Sequence, residues 1–179
     1  MALKPTIYKF SVSVSDMDRD YYDSMNLTVA QHPSETLIRM AARLLAYCIN
    51  AAPGLEFTRG VSAVDEPDLW LREMDEQISL WIDIGEPSLE RIKKGTHRSK
   101  ESRLYAFNTK SDVWWNQVGQ QVLALGVKAY RFNIAHLEEM VLLINRTNQL
   151  SVTISENSAG IAINDGYCDV TWEPLTLPQ

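Results

Sequence analysis

From residue 78 to residue 133 the sequence changes period four times, and that alternation restricts the fold more than any other feature. "ISLWIDI" puts Ile78, Leu80, Ile82 and Ile84 at every second position, the period of a strand with one buried face, and Asp83 beside Trp81 on the other. Pro87 and Ser88 then start a short helix that runs to about Lys94 and ends at Gly95. "SRLYAF" follows as a strand, "SDVWWNQVGQQVLAL" as a helix capped by Ser111 or Asp112, and "VKAYRFN" as another strand. Strands separated by helices run parallel with crossover connections, so an α/β core is expected.

The flanks have a different character. "PTIYKFSVSV" and "YYDSMNLTVAQH", joined by the acidic turn "SDMDRD", predict an opening hairpin. A helix then starts at Pro33 and Ser34, with Leu37, Met40, Ala41, Leu44, Leu45 and Cys48 at helical spacing, and Pro53 and Gly54 stop it. Glu35 falls in its first turn, where the helix dipole favours a carboxylate. Residues 55–77 hold a short extended piece, then Glu66, Pro67 and Asp68, then a polar turn. After a short helix near residues 135–142 the tail reads as successive antiparallel strands, with Asp165 and Gly166 suited to a tight hairpin turn. The expected sheet is mixed, flanked by helices, with additional antiparallel strands at the N- and C-termini. A length of 179 residues suits a single domain.

Composition narrows the function. With 45% hydrophobic and 22% charged residues the chain is an ordinary folded protein, which sets aside disordered and fibrous classes. No continuous apolar run of signal or membrane length is present, so a cytoplasmic protein without membrane association is expected. Cys48 and Cys168 lie far apart and outside any Cys-x-x-Cys pair, and are read as reduced, buried packing residues. The net charge of −6 argues against coating nucleic acid through a general field. Residues 91–103 nevertheless hold six Lys and Arg against one Glu, a local +5 that leaves −11 to the rest, so an anion-facing patch is a candidate beside a solvated surface segment.

His32, His97 and His136 are dispersed and give no zinc spacing, and no G-x-S-x-G elbow, Walker A loop or G-x-G-x-x-G fingerprint is present. Trp114, Trp115, Tyr105 and Phe107 could stack on bases, but at helix and strand spacing the core reading is preferred. The carboxylates form the more informative set: Glu35 at a helix start, Asp68 after a proline near a strand entrance, Asp83 on a strand, and Glu86 three residues later. Mg²⁺ or Mn²⁺ takes one or two such carboxylates with water and substrate phosphate, and can polarise a phosphoryl group and activate water. Lys93 or Lys94 would then stabilise the developing phosphate charge.

The order Glu35, then Pro67-Asp68, then Asp83 at a strand end resembles the PD-(D/E)XK phosphodiesterase superfamily. More closely, "PDLW", "WIDIGEPS", "RIKK" and "DVWW", with nearly all of the remaining chain, resemble the YaeQ family. The resemblance implies a restriction-endonuclease-like mixed sheet and a variant site. Asp68 and Asp83 match the two motif acids and Glu35 the helical acid, while Gly85 stands where the motif has lysine. The lysine would have moved to the following helix, as Lys93 or Lys94. Asp68, Asp83 and Glu86 would hold Mg²⁺ or Mn²⁺, and Arg91, Arg98, Lys100 and Arg103 would face the substrate. The expected function is a metal-dependent phosphodiesterase of nuclease type. The alternative is a non-catalytic protein that binds nucleic acid or a transcription complex with affinity but no turnover, and a second competitor is an interaction protein that needs no metal.

Overall fold

The computed structural model describes residues 3–60 and 63–178. In chain order the elements are β1 (Thr6–Asp16), β2 (Tyr21–Gln31), α1 (Leu37–Ile49), β3 (Leu55–Phe57), β4 (Leu69–Arg72), β5 (Ile78–Ile84), α2 (Leu89–Arg98), β6 (Ser99–Ala106), α3 (Ser111–Ala124), β7 (Lys128–Phe132), α4 (Ile134–Val141), β8 (Thr147–Ser155), β9 (Ser158–Ile163) and β10 (Gly166–Pro174). The chain is thus a mixed α and β protein. Among the described residues no helix is long and apolar enough to cross a membrane. Contacts group the chain into two compact units, residues 1–51 with 135–172 and residues 52–134 with 173–179.

In the first unit the strand order is β2-β1-β8-β9-β10. β1 pairs antiparallel with β2 and parallel with β8, and β8, β9 and β10 follow antiparallel. The predicted opening hairpin is present. Its turn is held by Asp16, whose carboxylate accepts the N–H groups of Asp18 and Arg19 and the Nε–H of Arg19. One face of the sheet is apolar by strict alternation: Phe10, Val12 and Val14 on β1, Leu150, Val152 and Ile154 on β8, Ile161 and Ile163 on β9. The expected turn at Asp165 and Gly166 lies one residue earlier, at residues 164–165, with Asn164 at φ 54°. Gly166 already pairs with Ile163, and a Cβ there would stand 2.5 Å from a Leu143 methyl, so a larger residue would require Leu143 to shift. A second hairpin turn, unread in the sequence, uses Glu156 and Asn157, both at positive φ.

Helix α1 begins at Leu37, later than expected, because the Thr36 hydroxyl accepts the N–H of Arg39 and makes Thr36 the N-cap. Glu35 therefore precedes the helix instead of lying in its first turn. Cys48 and Cys168 are buried and unbridged, and burial pushes the Cys48 thiol up to about 12 and that of Cys168 to about 11, which leaves both unreactive.

In the second unit the order is β7-β6-β5-β4-β3. β5, β6 and β7 run parallel, as the period changes predict, while β4 and β3 are antiparallel. Helices α2 and α3 make the crossovers and pack on Leu104 and Ala129 through Ile92, Trp115 and Val122. Each such fully buried aliphatic side chain contributes about 1.5–3 kcal/mol. The aromatic residues are largely core, as preferred: Tyr105, Phe107 and Trp115 are buried, and Trp114 is half-buried. The tail docks here, with Trp115 Nε1 donating to the Thr176 carbonyl and Leu175 N–H to Ala129.

Three expectations are corrected in this unit. β5 is buried on both faces, because α2 covers the face carrying Trp81 and Asp83. Gly95 does not end α2, which continues to Arg98, and α3 takes Lys110 as its N-cap instead of Ser111 or Asp112.

Candidate functional site

Antiparallel register between β4 and β5 sets Leu69 opposite Ile82, so Asp68 and Asp83 are neighbours across the strand ends. Asp68 donates its N–H to the Ile82 carbonyl at 3.0 Å and accepts the Ile84 N–H at Oδ2 at 2.8 Å. Both acids are sealed from solvent, Asp68 at 1% and Asp83 at 3% exposure. The Asp83 carboxylate accepts Trp81 Nε1–H at 3.0 Å on Oδ2 and Arg91 Nε–H at 3.2 Å on Oδ1. Burial pushes its pKa up to about 6, against the pull of Arg91 and with a further push from the Asp68 carboxylate.

Arg91 sits in the first turn of α2, which Ser88 caps by accepting the Arg91 N–H. Its guanidinium also donates to the carbonyls of Glu66 at 2.7 Å and Val64 at 3.4 Å. The helix reaches the strand this closely because residue 95 is glycine: a Cβ there would stand 2.6 Å from Trp81 Nε1. Gly95→Ala is accordingly expected to destabilise the protein by about 1–3 kcal/mol, overriding the gain of up to about 1 kcal/mol from better helix propensity. Urea unfolding would read this, and a neutral or stabilising result would mean that Trp81 can shift.

Glu86 turns away from the acid pair and accepts the N–H groups of Phe107 and Asn108 and the side-chain amide of Asn108, bracing the loop before α3. A cavity of about 380 Å³ opens there, lined by Glu86, Asn108, Thr109, Lys110 and Trp114, without either aspartate. Lys94 pairs with Asp65, not with Asp83. Arg98 lies over the Trp81 ring at 5.4 Å and donates to the Asp65 carbonyl. Lys100 pairs with Glu73, and Arg103 with Glu101. Lys93 is exposed on the outer side of α2. Glu35 belongs to the first unit, where its carboxylate is bound by Arg39 and Arg43.

A divalent ion does not fit the acids as they stand. Mg²⁺ requires near-octahedral oxygen ligation at about 2.0–2.1 Å, and here N–H donors face both oxygens of Asp83, one of Asp68 and both of Glu86. Among the described residues no three His, Cys, Asp or Glu side chains are grouped to hold a metal.

The YaeQ protein family matches residues 1–172. This chain belongs to the YaeQ family. It is 39% identical over 160 residues to the YaeQ protein of Salmonella typhi and 39% identical over 158 residues to that of Escherichia coli (strain K12), with coverage of 88% and 87% on both sides respectively. The crystal structure of YaeQ from Xanthomonas axonopodis pv. citri superposes with a TM-score of 0.92 at 33% identity, covering 97% of this chain and 99% of that one. The Pseudomonas syringae YaeQ structure gives 0.87 at 33% identity and 96% coverage of each.

Within this YaeQ-family chain the quoted motifs have clear structural roles. "PDLW" and "WIDIGEPS" meet across β4 and β5 to form the acid pair. Gly85, two residues after Asp83 in "WIDIGEPS", has φ +100°, a conformation in which a lysine would be strained, which accounts for its absence at that position. "RIKK" supplies Arg91 to Asp83, where a lysine was expected. The available signal was spacing: Arg91, Gly95 and Arg98 share one helix stripe, and a glycine in that stripe marks close approach to a large neighbour.

Proposed function

We propose that this YaeQ-family chain binds nucleic acid through the cation-rich run of α2 and β6 and does not cleave it. The second unit is read as a restriction-endonuclease-like fold and the chain as a divergent branch of the PD-(D/E)XK superfamily, since two acids on adjacent strands precede a helix bearing cations. The observation that carries the non-catalytic reading is the Arg91 guanidinium bound to Asp83 within a sealed acid pair. A buried carboxylate satisfied by Arg and Trp is not presented to a polymer substrate. The exposed Lys93, Lys94, His97, Arg98 and Lys100 offer the phosphate-facing surface. Their exposed ion pairs are worth about 0–1 kcal/mol each, so phosphates can replace the acidic partners.

A second reading, metal-dependent hydrolysis, is favoured by one observation, the side-by-side placement of Asp68 and Asp83. One experiment separates the two. Labelled single-stranded and duplex DNA and RNA are incubated with wild type or Asp83→Asn in Mg²⁺, Mn²⁺ or EDTA, with mobility shifts read across a salt series. Binding without cleavage is expected, with affinity falling against salt at a log–log slope of roughly −3 to −5, as for several phosphate contacts. Metal-dependent cleavage lost in Asp83→Asn would establish hydrolysis instead, and neither binding nor cleavage would remove both readings.

A further inference from the structure

We propose that the Arg91 guanidinium is the resident cation of Asp83, occupying the place of a divalent metal ion beside the acid pair and keeping one out. The oxygens around Arg91 are the first reason. They are one carboxylate oxygen, from Asp83 at 3.2 Å, and two main-chain carbonyls, from Glu66 at 2.7 Å and Val64 at 3.4 Å. Carboxylates and backbone carbonyls are what a hard cation collects, and a guanidinium, with five donors and no acceptor, satisfies the same oxygens by hydrogen bonds.

The second reason is permanence. Arginine does not lose its charge in a protein, so the positive charge beside Asp83 does not depend on pH or on metal supply. A dication entering next to it meets like charge in a poorly screened site. The third reason is that retreat is restricted on the opposite side. The other Asp83 oxygen is closed by the Trp81 N–H, and Trp81 is fixed under Gly95.

Nucleic-acid binding is not needed for this inference and is not its readout. The test is Mn²⁺ binding, followed by loss of the free-ion EPR signal at millimolar metal and neutral pH. It compares the full-length wild type with Asp83→Asn, Arg91→Ala and the double variant Arg91→Ala/Asp83→Asn. Wild type and Asp83→Asn are expected to bind equally weakly. Arg91→Ala is expected to gain one Mn²⁺ with at least tenfold higher affinity, and the double variant to lose it. A wild-type Mn²⁺ site abolished by Asp83→Asn would overturn the proposal whatever the variants do. Folded Arg91→Ala without any gain would overturn it too. Should Arg91→Ala fail to fold, Arg91→Lys retains one charge and is expected to bind Mn²⁺ no better than wild type, and a tenfold gain there would refute exclusion by charge. A failed mobility shift leaves this result standing, and a failed Mn²⁺ prediction leaves nucleic-acid binding standing.

Discussion

Glu35→Ala is expected to destabilise the protein by about 3–5 kcal/mol, the usual result of removing one partner from a buried ion pair. For a chain of this size that corresponds to a fall in Tm of roughly 10 °C. Arg43 Nη2 meets Glu35 Oε1 at 2.6 Å, and the two side chains are only 5% and 1% exposed. Arg43 Nε and Arg39 Nη1 both reach the other oxygen, at 2.8 Å and 2.7 Å. Alanine would leave the Arg43 charge buried without the Glu35 carboxylate, while its hydrogen bond to the Ala30 carbonyl at 2.9 Å stays. Replacing both ends together, Glu35→Leu with Arg43→Met, should recover much of the loss, because an apolar pair of similar volume avoids the desolvation cost. Thermal and urea unfolding at pH 7 would read both variants. A Glu35→Ala loss below about 1 kcal/mol would show that Arg43 swings to solvent, and the cluster would then have no structural weight. Mn²⁺ binding by Glu35→Ala should equal that of wild type, which separates this role from metal ligation.

The same carboxylate shows where sequence reasoning stops. Glu35, Arg39 and Arg43 recur every four residues, a spacing visible in the sequence, although Glu35 stands ahead of α1. The parallel β5-β6-β7 core was legible because each change of hydrophobic period is local. Burial of β5 on both faces was not, since it depends on α2 approaching through Gly95, a contact made after the chain folds back. The acids Asp68 and Asp83 could be nominated from strand-end positions, but their adjacency rests on the register of Leu69 with Ile82, which no local pattern encodes. From sequence alone Arg91 reads as a substrate-facing cation for the same reason. Its partners lie on β5 and on residues 64–66, distant in sequence, and only tertiary structure brings them to one guanidinium.

A buried carboxylate that titrates near pH 6 leaves a signature in stability. The Asp83 pKa is about 6 in the folded chain against an ordinary 3.8, so between those values the folded state binds more proton than the unfolded state. Stability contributed by this group is therefore fully present below about pH 4 and falls as pH rises through 6. The slope reaches at most about 1.4 kcal/mol per pH unit, and the total by pH 7 is about 3 kcal/mol. Asp83→Asn stays neutral throughout and lacks this slope. Carboxylates remote from Asp83 contribute equally in both proteins and cancel in the difference. The stability of Asp83→Asn minus that of wild type should thus increase by about 2–3 kcal/mol between pH 4 and pH 7, whatever constant offset the lost Arg91 ion pair introduces. Urea midpoints taken at half-unit intervals would measure it. A difference that stays flat with pH would mean that Arg91 fully offsets burial and that Asp83 titrates as an ordinary carboxyl. A difference that decreases would mean that the ion pair outweighs burial, making Arg91 and Asp83 a net stabilising pair above pH 4. The expected sign carries a structural consequence: Asp83 is charged at neutral pH at the expense of stability. Because Arg91 pulls the Asp83 pKa down, Arg91→Ala should extend the same pH dependence to higher pH, with its upper limit above pH 6.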